Sequence, residues 1–444
     1  MNDDGRGRYD DWQTETARTA RLPRLEGTAD APGAHAAPSR RRPSRRALLG
    51  LGAAGLLAGG ASLAAARWGG HSASALQGVD GSEGASAKPI GDGSTSDTGA
   101  QPHRQKPRRL APGERPPQFV VVSWDGAGSL DDGLFERFRG VAKDTGAHMT
   151  FFLSGLYLLP ESKKHLYRPP NNPVGASDIG YLADGHIRNT IEQVSAAWRE
   201  GHEIGTHFNG HFCSGSGSVA KWTPEMWESE ISQAMSFVTS WKTNTGFTDL
   251  PALPFDYREE LVGGRTPCLL GQDNLLVAAA ARKWRYDASS PGGLQVWPTK
   301  KHGLWDFPLQ SVPFPGHHFE VLTMDYNMMA NQSGNSTNGN TASRPGWLDT
   351  AHRSYKAGFQ RAYDGNRAPM FVGNHFESWN GGIYMDAVEK FVRDVADMPD
   401  VRFVSFRELC DWLDAQSADT LASFRTLGVG QAPSGGWDGL ADAA

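Results

Sequence analysis

The sequence predicts an α/β protein whose parallel strands form a (β/α) barrel. Short apolar runs of strand length alternate with helix-length segments over residues 116–416. Such alternation implies parallel strands joined by right-handed crossovers, and repetition on this scale favours a barrel. The first of these runs, at 118–124, is apolar almost without interruption, as expected for a strand buried on both faces.

The N-terminal region predicts export. Residues 1–46 are polar and end in an arginine cluster, and residues 47–66 are apolar or small and uncharged. This combination is typical of an export signal or a membrane anchor. Residues 44–49 resemble a twin-arginine signal and 64–66 fit a cleavage site, although about twenty residues also suffice to span a bilayer. We expect an extracellular or cell-envelope protein, with the segment either cleaved or kept as an anchor.

The regions that flank the predicted barrel lack an apolar period. Residues 67–115 are rich in Ser, Gly, Ala, Asp and Pro, and such a segment cannot offset its own ordering entropy. We therefore expect a disordered spacer there. The small, polar residues 417–444 predict a flexible tail.

Composition excludes some classes of function. The net charge of −5 gives no basic face for nucleic acid. Three cysteines cannot form a disulfide scaffold, and no CxxC pair suggests structural zinc.

The strongest candidate site combines one carboxylate and two imidazoles. Asp125 ends the first predicted strand, and His207 and His211 follow the third in the string GTHFNGH. Reactive groups of parallel α/β folds collect at the carboxyl ends of strands. If the segment turns helically, the spacing of four residues places both imidazoles on one side. Two histidines and a carboxylate leave positions open for water and substrate, as a catalytic divalent metal requires.

Further polar residues follow other predicted strands. Arg265 lies in GGRTPCLLG, Asp287 in RYDASSP and His375 in FVGNHFES. An Arg–Asp pair could orient and tune a catalytic imidazole at His375.

The order of these segments resembles the polysaccharide deacetylase family, which includes peptidoglycan and chitin deacetylases and acetylxylan esterases. VVVSWDG stands where the family has Thr-Phe-Asp-Asp-Gly, and EIGTHFNGH matches its histidine motif well. Arg265-Thr266-Pro267 matches Arg-x-Pro, and RYDASSP and FVGNHF resemble the last two motifs. The resemblance covers roughly residues 118–415.

The resemblance implies a distorted (β/α) barrel and a divalent metal, commonly zinc, on Asp125, His207 and His211. It implies hydrolysis of an N- or O-acetyl group by a metal-activated water, with a wall or extracellular glycan as substrate. His375 would protonate the leaving group, supported by Asp287 and Arg265.

One position departs from the family. Trp124 stands where the family has its general base, and an indole cannot take a proton from water. Glu377 or Asp325 could serve instead, the metal alone could suffice, or the chain could bind metal and glycan without turnover. We do not assign Asp131-Asp132 to the first motif, because no apolar strand precedes this pair.

Three functions stay open from the sequence. The first is a metal-dependent hydrolase removing acetyl groups from a glycan. The second is a glycan-binding envelope protein with impaired catalysis, and the third is a deformylase or amidase acting on a small amide. As a separate hypothesis, Cys213 and Cys268 form a disulfide. We expect Cys410 to be a buried helix residue.

Overall fold

The computed structural model describes residues 87–441 of the chain. Twelve β-strands occur in this part of the chain. In chain order they are β1 (Lys88–Ile90), β2 (Thr95–Asp97), β3 (Gln118–Asp125), β4 (Thr150–Leu153), β5 (Glu203–Thr206), β6 (Tyr286–Asp287), β7 (Lys300–Lys301), β8 (Leu304–Asp306), β9 (Ser311–Pro313), β10 (Glu320–Leu322), β11 (Met370–His375) and β12 (Val401–Phe403).

Twelve α-helices lie between and after these strands. They are α1 (Leu134–Thr145), α2 (Asp184–Arg199), α3 (Pro224–Thr239), α4 (Trp241–Thr245), α5 (Tyr257–Glu260), α6 (Gln272–Ala281), α7 (Asp325–Ser333), α8 (Arg344–Asp364), α9 (Trp379–Ala396), α10 (Phe406–Ala415), α11 (Ala418–Arg425) and α12 (Gly436–Ala441). Local sequence sets several helix ends. For example, α1 ends at Gly146 in the left-handed region (φ 64°), and Ser405 and Glu408 form a capping box at the start of α10.

The main sheet has five strands, all parallel. Its order is β11-β3-β4-β5, and β12 pairs with the first residues of β3. The register places His375, the last residue of β11, beside Asp125, the last residue of β3. The carboxyl ends of β3, β4, β5 and β11 therefore meet at one edge.

The sheet does not close into a barrel within residues 87–441. Strands β6, β7 and β8 form a separate three-stranded sheet, and β9 pairs only with β10. Isolated bridges such as Thr206↔Gly264 and Met324↔Gly373 join neighbouring segments where continuous strands were expected. The structure thus confirms the mixed α/β class with a parallel sheet, whereas the predicted (β/α) barrel is not closed in this part of the chain. The strands between β5 and β11 are only two or three residues long, too short to complete a closed hydrogen-bonded barrel.

Side chains of β3 alternate between two hydrophobic clusters. Val120, Val122 and Trp124 belong to the larger cluster, which includes the helices. Phe119 and Val121 belong to a second cluster on the other face of the sheet. Because side chains alternate along a strand, Asp125 lies on the face of Phe119 and Val121, opposite to Trp124.

The predicted spacer is partly wrong. Residues 87–115 belong to the folded part: β1 and β2 form a hairpin, and Ser94 and Thr95 are fully buried. This polar segment is ordered by hydrogen bonds to distant residues, such as Ser96 Oγ to the Leu253 carbonyl at 2.9 Å and Trp241 Nε1 to the Ser94 carbonyl at 2.7 Å.

The predicted flexible tail is also corrected. Helices α11 and α12 occupy much of 417–441, and Leu421, Phe424 and Leu427 are buried. Leu421 and Phe424 order the segment because they pack into the second cluster, where the Phe424 ring lies 4.6 Å from that of Trp297.

The export signal, its cleavage site and the possible anchor all lie outside the described residues. Within 87–441, no helix has the length and apolar character that crossing a membrane requires.

Candidate active site

Asp125 reaches the cavity at the carboxyl end of β3, and Arg265 holds its carboxylate. Arg265 Nη1 donates to Asp125 Oδ1 at 2.8 Å, and both side chains are buried. The same nitrogen donates to Ser123 Oγ at 2.9 Å, and Nε donates to the Ala288 carbonyl at 2.9 Å. The predicted Arg–Asp pairing thus exists with a different aspartate, because Arg265 pairs with Asp125 and not with Asp287.

His207 is a buried, neutral imidazole. Burial disfavours its charged form and lowers its pKa to about 4, although Asp125 opposes this shift. Nδ1 lies 2.9 Å from the Arg265 carbonyl oxygen, an acceptor, so Nδ1 carries the proton and donates it. Nε2 is buried and has no hydrogen-bond partner among the described residues. Its lone pair is therefore available to a ligand.

His211 lies close to His207, with ring centroids 5.1 Å apart. Burial also lowers its pKa well below the ordinary value. The segment from His207 to His211 is not helical, although the prediction that both imidazoles lie on one side assumed a helical turn. Instead, Phe208 (φ 60°) and His211 (φ 58°) adopt the left-handed conformation, and these two turns bring the rings together. Such conformations are costly for non-glycine residues and are frequent at functional sites.

Two kinds of interaction stabilise the loop that carries His207 and His211. Tyr167 accepts a hydrogen bond from the Gly210 backbone N–H (3.0 Å) and donates to Glu230 on α3 (2.9 Å). Burial raises the pKa of Glu230 to about 7. A disulfide joins Cys213 to Cys268, as the hypothesis proposed, with Cα atoms 6.0 Å apart. Cys410 is buried in α10, also as predicted.

His375 pairs with Asp325. Asp325 Oδ1 lies 2.8 Å from His375 Nδ1, and Oδ2 accepts the His375 backbone N–H at 2.7 Å. Burial lowers the pKa of His375, but the charge and hydrogen bond of Asp325, with the charges of Asp125 and Glu377, outweigh it and raise the pKa to about 9. The imidazole is therefore protonated at neutral pH, which suits a proton donor.

Asp287 does not reach the cavity, and its predicted role beside His375 is wrong. Its carboxylate accepts from Ser289 Oγ at 2.6 Å and Gln272 Nε2 at 2.6 Å. Burial raises its pKa to about 6. The reason is topological, since β6 belongs to the separate small sheet.

The cavity of about 90 Å³ gathers four of the six predicted site residues, and Arg265 contacts one of them. Three of the four lie at the ends of the central strands. The lining consists of Asp125, Gly126, Gly128, Leu130, Ser154, Tyr157, Ile179, Leu182, His207, His211, His375, Phe376 and Glu377.

The sequence interpretation missed Ser154 and Tyr157. Ser154 follows the last residue of β4, and its buried Oγ has no hydrogen-bond partner among residues 87–441. Its position at a strand end is the same signal that identified Asp125, so it could have been found. Asp131 and Asp132, which we did not assign to the site, do not line the cavity.

A divalent metal fits the donor chemistry of this cavity. His207 Nε2 is a buried potential metal ligand that has no partner in the part of the chain that the structure describes. Asp125 supplies an anionic oxygen in addition to two neutral imidazoles. The tightest group of metal-type donor atoms in the described chain is a different one, formed by His211, Cys213 and Cys268 within 4.8 Å. Its two sulfurs form a disulfide and are not thiolate ligands. We therefore favour Asp125, His207 and His211 as the ligands, with Arg265 donating a hydrogen bond to the Asp125 carboxylate.

No protein-family model and no curated protein matches the chain. Several solved structures do. One, from Mycobacterium smegmatis and assigned as a polysaccharide deacetylase, is 15% identical over 70% of this chain and 96% of that chain, with a TM-score of 0.42. The peptidoglycan deacetylase PdaC from Bacillus subtilis is 9% identical over 67% and 92%, with a TM-score of 0.34. A family 4 carbohydrate esterase from Streptomyces lividans is 11% identical over 64% and 91%, with a TM-score of 0.32.

These three structures belong to the group of proteins that the sequence motifs resemble. Because the identities are 15% or less and the TM-scores below 0.5, we base the functional proposal on the residues of this chain.

Proposed function

We propose that the chain is a metal-dependent hydrolase that removes acetyl groups, N- or O-linked, from a cell-wall or extracellular glycan. The observation that carries the proposal is that His207 lines the same cavity as Asp125, His211 and His375, while its buried Nε2 has no partner within residues 87–441. An uncompensated buried lone pair costs free energy, and a ligand at this position removes that cost.

His207, His211 and Asp125 would hold the ion, for which zinc suits the mixed nitrogen and oxygen donors. When bound, such an ion polarises an acyl carbonyl and lowers the pKa of a water molecule. The chain prepares its own ligands: the Arg265 carbonyl fixes the His207 tautomer, and the Arg265 guanidinium orients Asp125.

His375 would donate a proton to the leaving amine or alcohol. Its pKa of about 9 keeps it protonated at neutral pH, and Asp325 fixes the ring from behind. This contact supports a role for Asp325 in positioning the acid, whereas the sequence suggested Asp325 as a general base.

Trp124 motivated the alternative of a glycan-binding protein without turnover. Its fully buried indole stacks on Phe376 with ring centroids 4.6 Å apart and lies on the face of β3 opposite to Asp125. Glu377 is exposed and lines the cavity. If Asp125 binds the ion, Glu377 is the carboxylate at the cavity that remains to accept a proton from water.

The place of action is also a proposal. The arginine cluster and the apolar residues 47–66 support export, with the segment cleaved or kept as an anchor. An envelope glycan would then be within reach.

The test is acetate release from acetylated chito-oligomers by the zinc-loaded protein. We expect release by the wild type, and loss of both zinc affinity and release in His207→Ala. His318→Ala is the matched control, because His318 is exposed and does not line the cavity. Glycan and zinc binding without acetate would favour the non-catalytic alternative, and unchanged zinc affinity in His207→Ala would overturn the metal site.

A further inference from the structure

The lining of the cavity combines apolar side chains with histidines and carboxylates. We define the apolar wall as Leu130, Tyr157, Ile179 and Leu182, all of which line the cavity. Leu130 is the most unusual of them, because its side chain is 41% exposed. It follows Ser129 and precedes two aspartates in the turn after β3, where polar residues are the usual choice.

The apolar wall is built from separate segments that pack together. A Cβ added to Gly128 would lie 2.8 Å from the Tyr157 ring and 3.5 Å from Leu182 Cδ1. The two side chains thus cover the turn after β3 at a position where only glycine fits. The Asp178 N–H donates to the Gly210 carbonyl at 2.7 Å, so the segment carrying Ile179 and Leu182 is tied to the loop of His207 and His211.

We propose that the apolar wall binds the alkyl part of the acyl group and extends the substrates of this site from acetyl to propionyl and butyryl groups. This inference rests on the proposed hydrolase function. Exposed aliphatic surface gains free energy when an alkyl chain covers it, whereas a hydroxyl-rich group gains little there. The cavity of about 90 Å³ is larger than the roughly 30 Å³ that one water molecule occupies, so it has room for more than a methyl group.

The test compares kcat/KM for 4-nitrophenyl acetate, propionate and butyrate with the zinc-loaded full chain. Each fully buried methylene is worth about a fourfold change, so we expect kcat/KM to rise by up to about 15-fold from acetate to butyrate. In Leu130→Ser the rise should shrink to about a third or less, because the wall then ends in a hydroxyl. Leu166→Ser is the matched control, because Leu166 is 42% exposed and does not line the cavity.

Two outcomes overturn the inference while leaving the hydrolase intact: a preference for acetate, or the same chain-length dependence in Leu130→Ser as in the wild type. If no ester is hydrolysed, the proposed function fails instead. The apolar wall is then tested by binding. Butyramide should bind more tightly than acetamide to the wild type, whereas Leu130→Ser should bind both amides with similar affinity. Equal binding of both amides to the wild type would overturn it.

Discussion

Buried ionisable side chains lie at both ends of the parallel strands, and the two ends differ in how these groups are paired. At the amino ends of the strands, which we call the starting end, Glu203 is the first residue of β5 and pairs with Thr150, the first residue of β4. Thr150 Oγ1 (3.1 Å) and the Arg407 backbone N–H (2.8 Å) donate to Glu203 Oε2. Tyr286 donates to Oε1 at 2.9 Å.

A second carboxylate completes this network, which we call the starting-end network (Glu203, Glu260, Arg407). Arg407 Nη1 and Trp198 Nε1 donate to Glu260 Oε2 at 2.8 Å and 3.0 Å, and the Ile204 N–H donates to Oε1 at 3.4 Å. Every carboxylate oxygen of the network accepts a hydrogen bond. Arg407 Nε has no partner among the described residues, but the other two guanidinium nitrogens are bonded.

Among the described residues, unpartnered buried atoms are more numerous at the carboxyl ends of the strands, which we call the finishing end. His207 Nε2, Ser154 Oγ and Arg265 Nη2 all lack partners within residues 87–441. His207 and Ser154 line the cavity directly. Each unsatisfied buried group costs about 1–3 kcal/mol, and this cost is tolerated where a ligand takes its place. The starting end therefore serves stability, and the finishing end serves binding and chemistry.

The largest expected effect is on catalysis and comes from replacing His375, which lies at the finishing end. His375→Gln should lower kcat on acetylated chito-oligomers by about 10²–10⁴-fold, because the proton donor is lost. The free energy of unfolding should also fall, by about 1–3 kcal/mol, because the buried Asp325 keeps a hydrogen-bond donor but loses its charged partner. Loss on 4-nitrophenyl acetate should be smaller, because nitrophenolate leaves without a proton.

His352→Gln is the control for this change, because His352 pairs with Asp394 at 2.8 Å outside the cavity. An equal loss of kcat in His352→Gln would show that the effect is not specific to the cavity.

The starting-end network should give the opposite pattern. Arg407→Met leaves Glu260 buried without its charge partner, and we expect a loss of about 3–5 kcal/mol in the free energy of unfolding. Urea denaturation measures it. Zinc affinity of the folded protein should not change, and a large drop in zinc affinity would contradict the division between the two ends. Arg393→Met is the surface control, because Arg393 and its partner Asp144 are exposed and its other partner Glu389 is half-buried. Such surface ion pairs are worth about 0–1 kcal/mol.

The sequence predicted the finishing end well because position along a strand is local information. Asp125, His207 and His375 could each be placed at a strand end from an apolar run followed by a polar residue. Strand alternation could also have shown that Trp124 and Asp125 face opposite sides. The register between β3 and β11 then brings together Asp125 and His375, which are far apart in the chain.

The partners of these residues could not be predicted. Asp325 lies 50 residues before His375, and nothing in its local sequence distinguishes it from Asp287. The order of residues 87–115 was missed for a similar reason, since a polar composition cannot show hydrogen bonds such as that of Ser96 to Leu253. Closure of the predicted barrel could not be judged from the sequence, because closure depends on strand lengths and apolar runs do not determine those lengths.

The disulfide at the finishing end should matter for both stability and binding. Replacing Cys213 and Cys268 together by serine should lower the free energy of unfolding by about 2–4 kcal/mol. Zinc affinity should also fall, because His211 lies two residues from Cys213 and holds a left-handed conformation (φ 58°). Denaturation and zinc titration measure the two effects.

Alkylation before and after reduction tests the disulfide itself. Two thiols that alkylate freely in the unreduced protein would end the hypothesis. Cys410→Ala is the control, since this buried thiol lies in α10 and away from the cavity. It should leave zinc affinity unchanged.

The smallest expected effect concerns the pH dependence of the acid. Asp325→Asn should lower kcat/KM on chito-oligomers by about 10–100-fold, as is usual for a residue that positions another. The pKa of His375 is raised to about 9, so the protonated acid is present below that pH and lost above it. Without the Asp325 carboxylate, burial continues to lower the pKa while its main opposing cause is gone. The basic limb of the kcat/KM profile should therefore move to lower pH in Asp325→Asn and stay in place in Asp287→Asn, whose carboxylate does not contact His375. A limb that stays near pH 9 in Asp325→Asn would assign it to another group, and His375 would then lose its role as the acid.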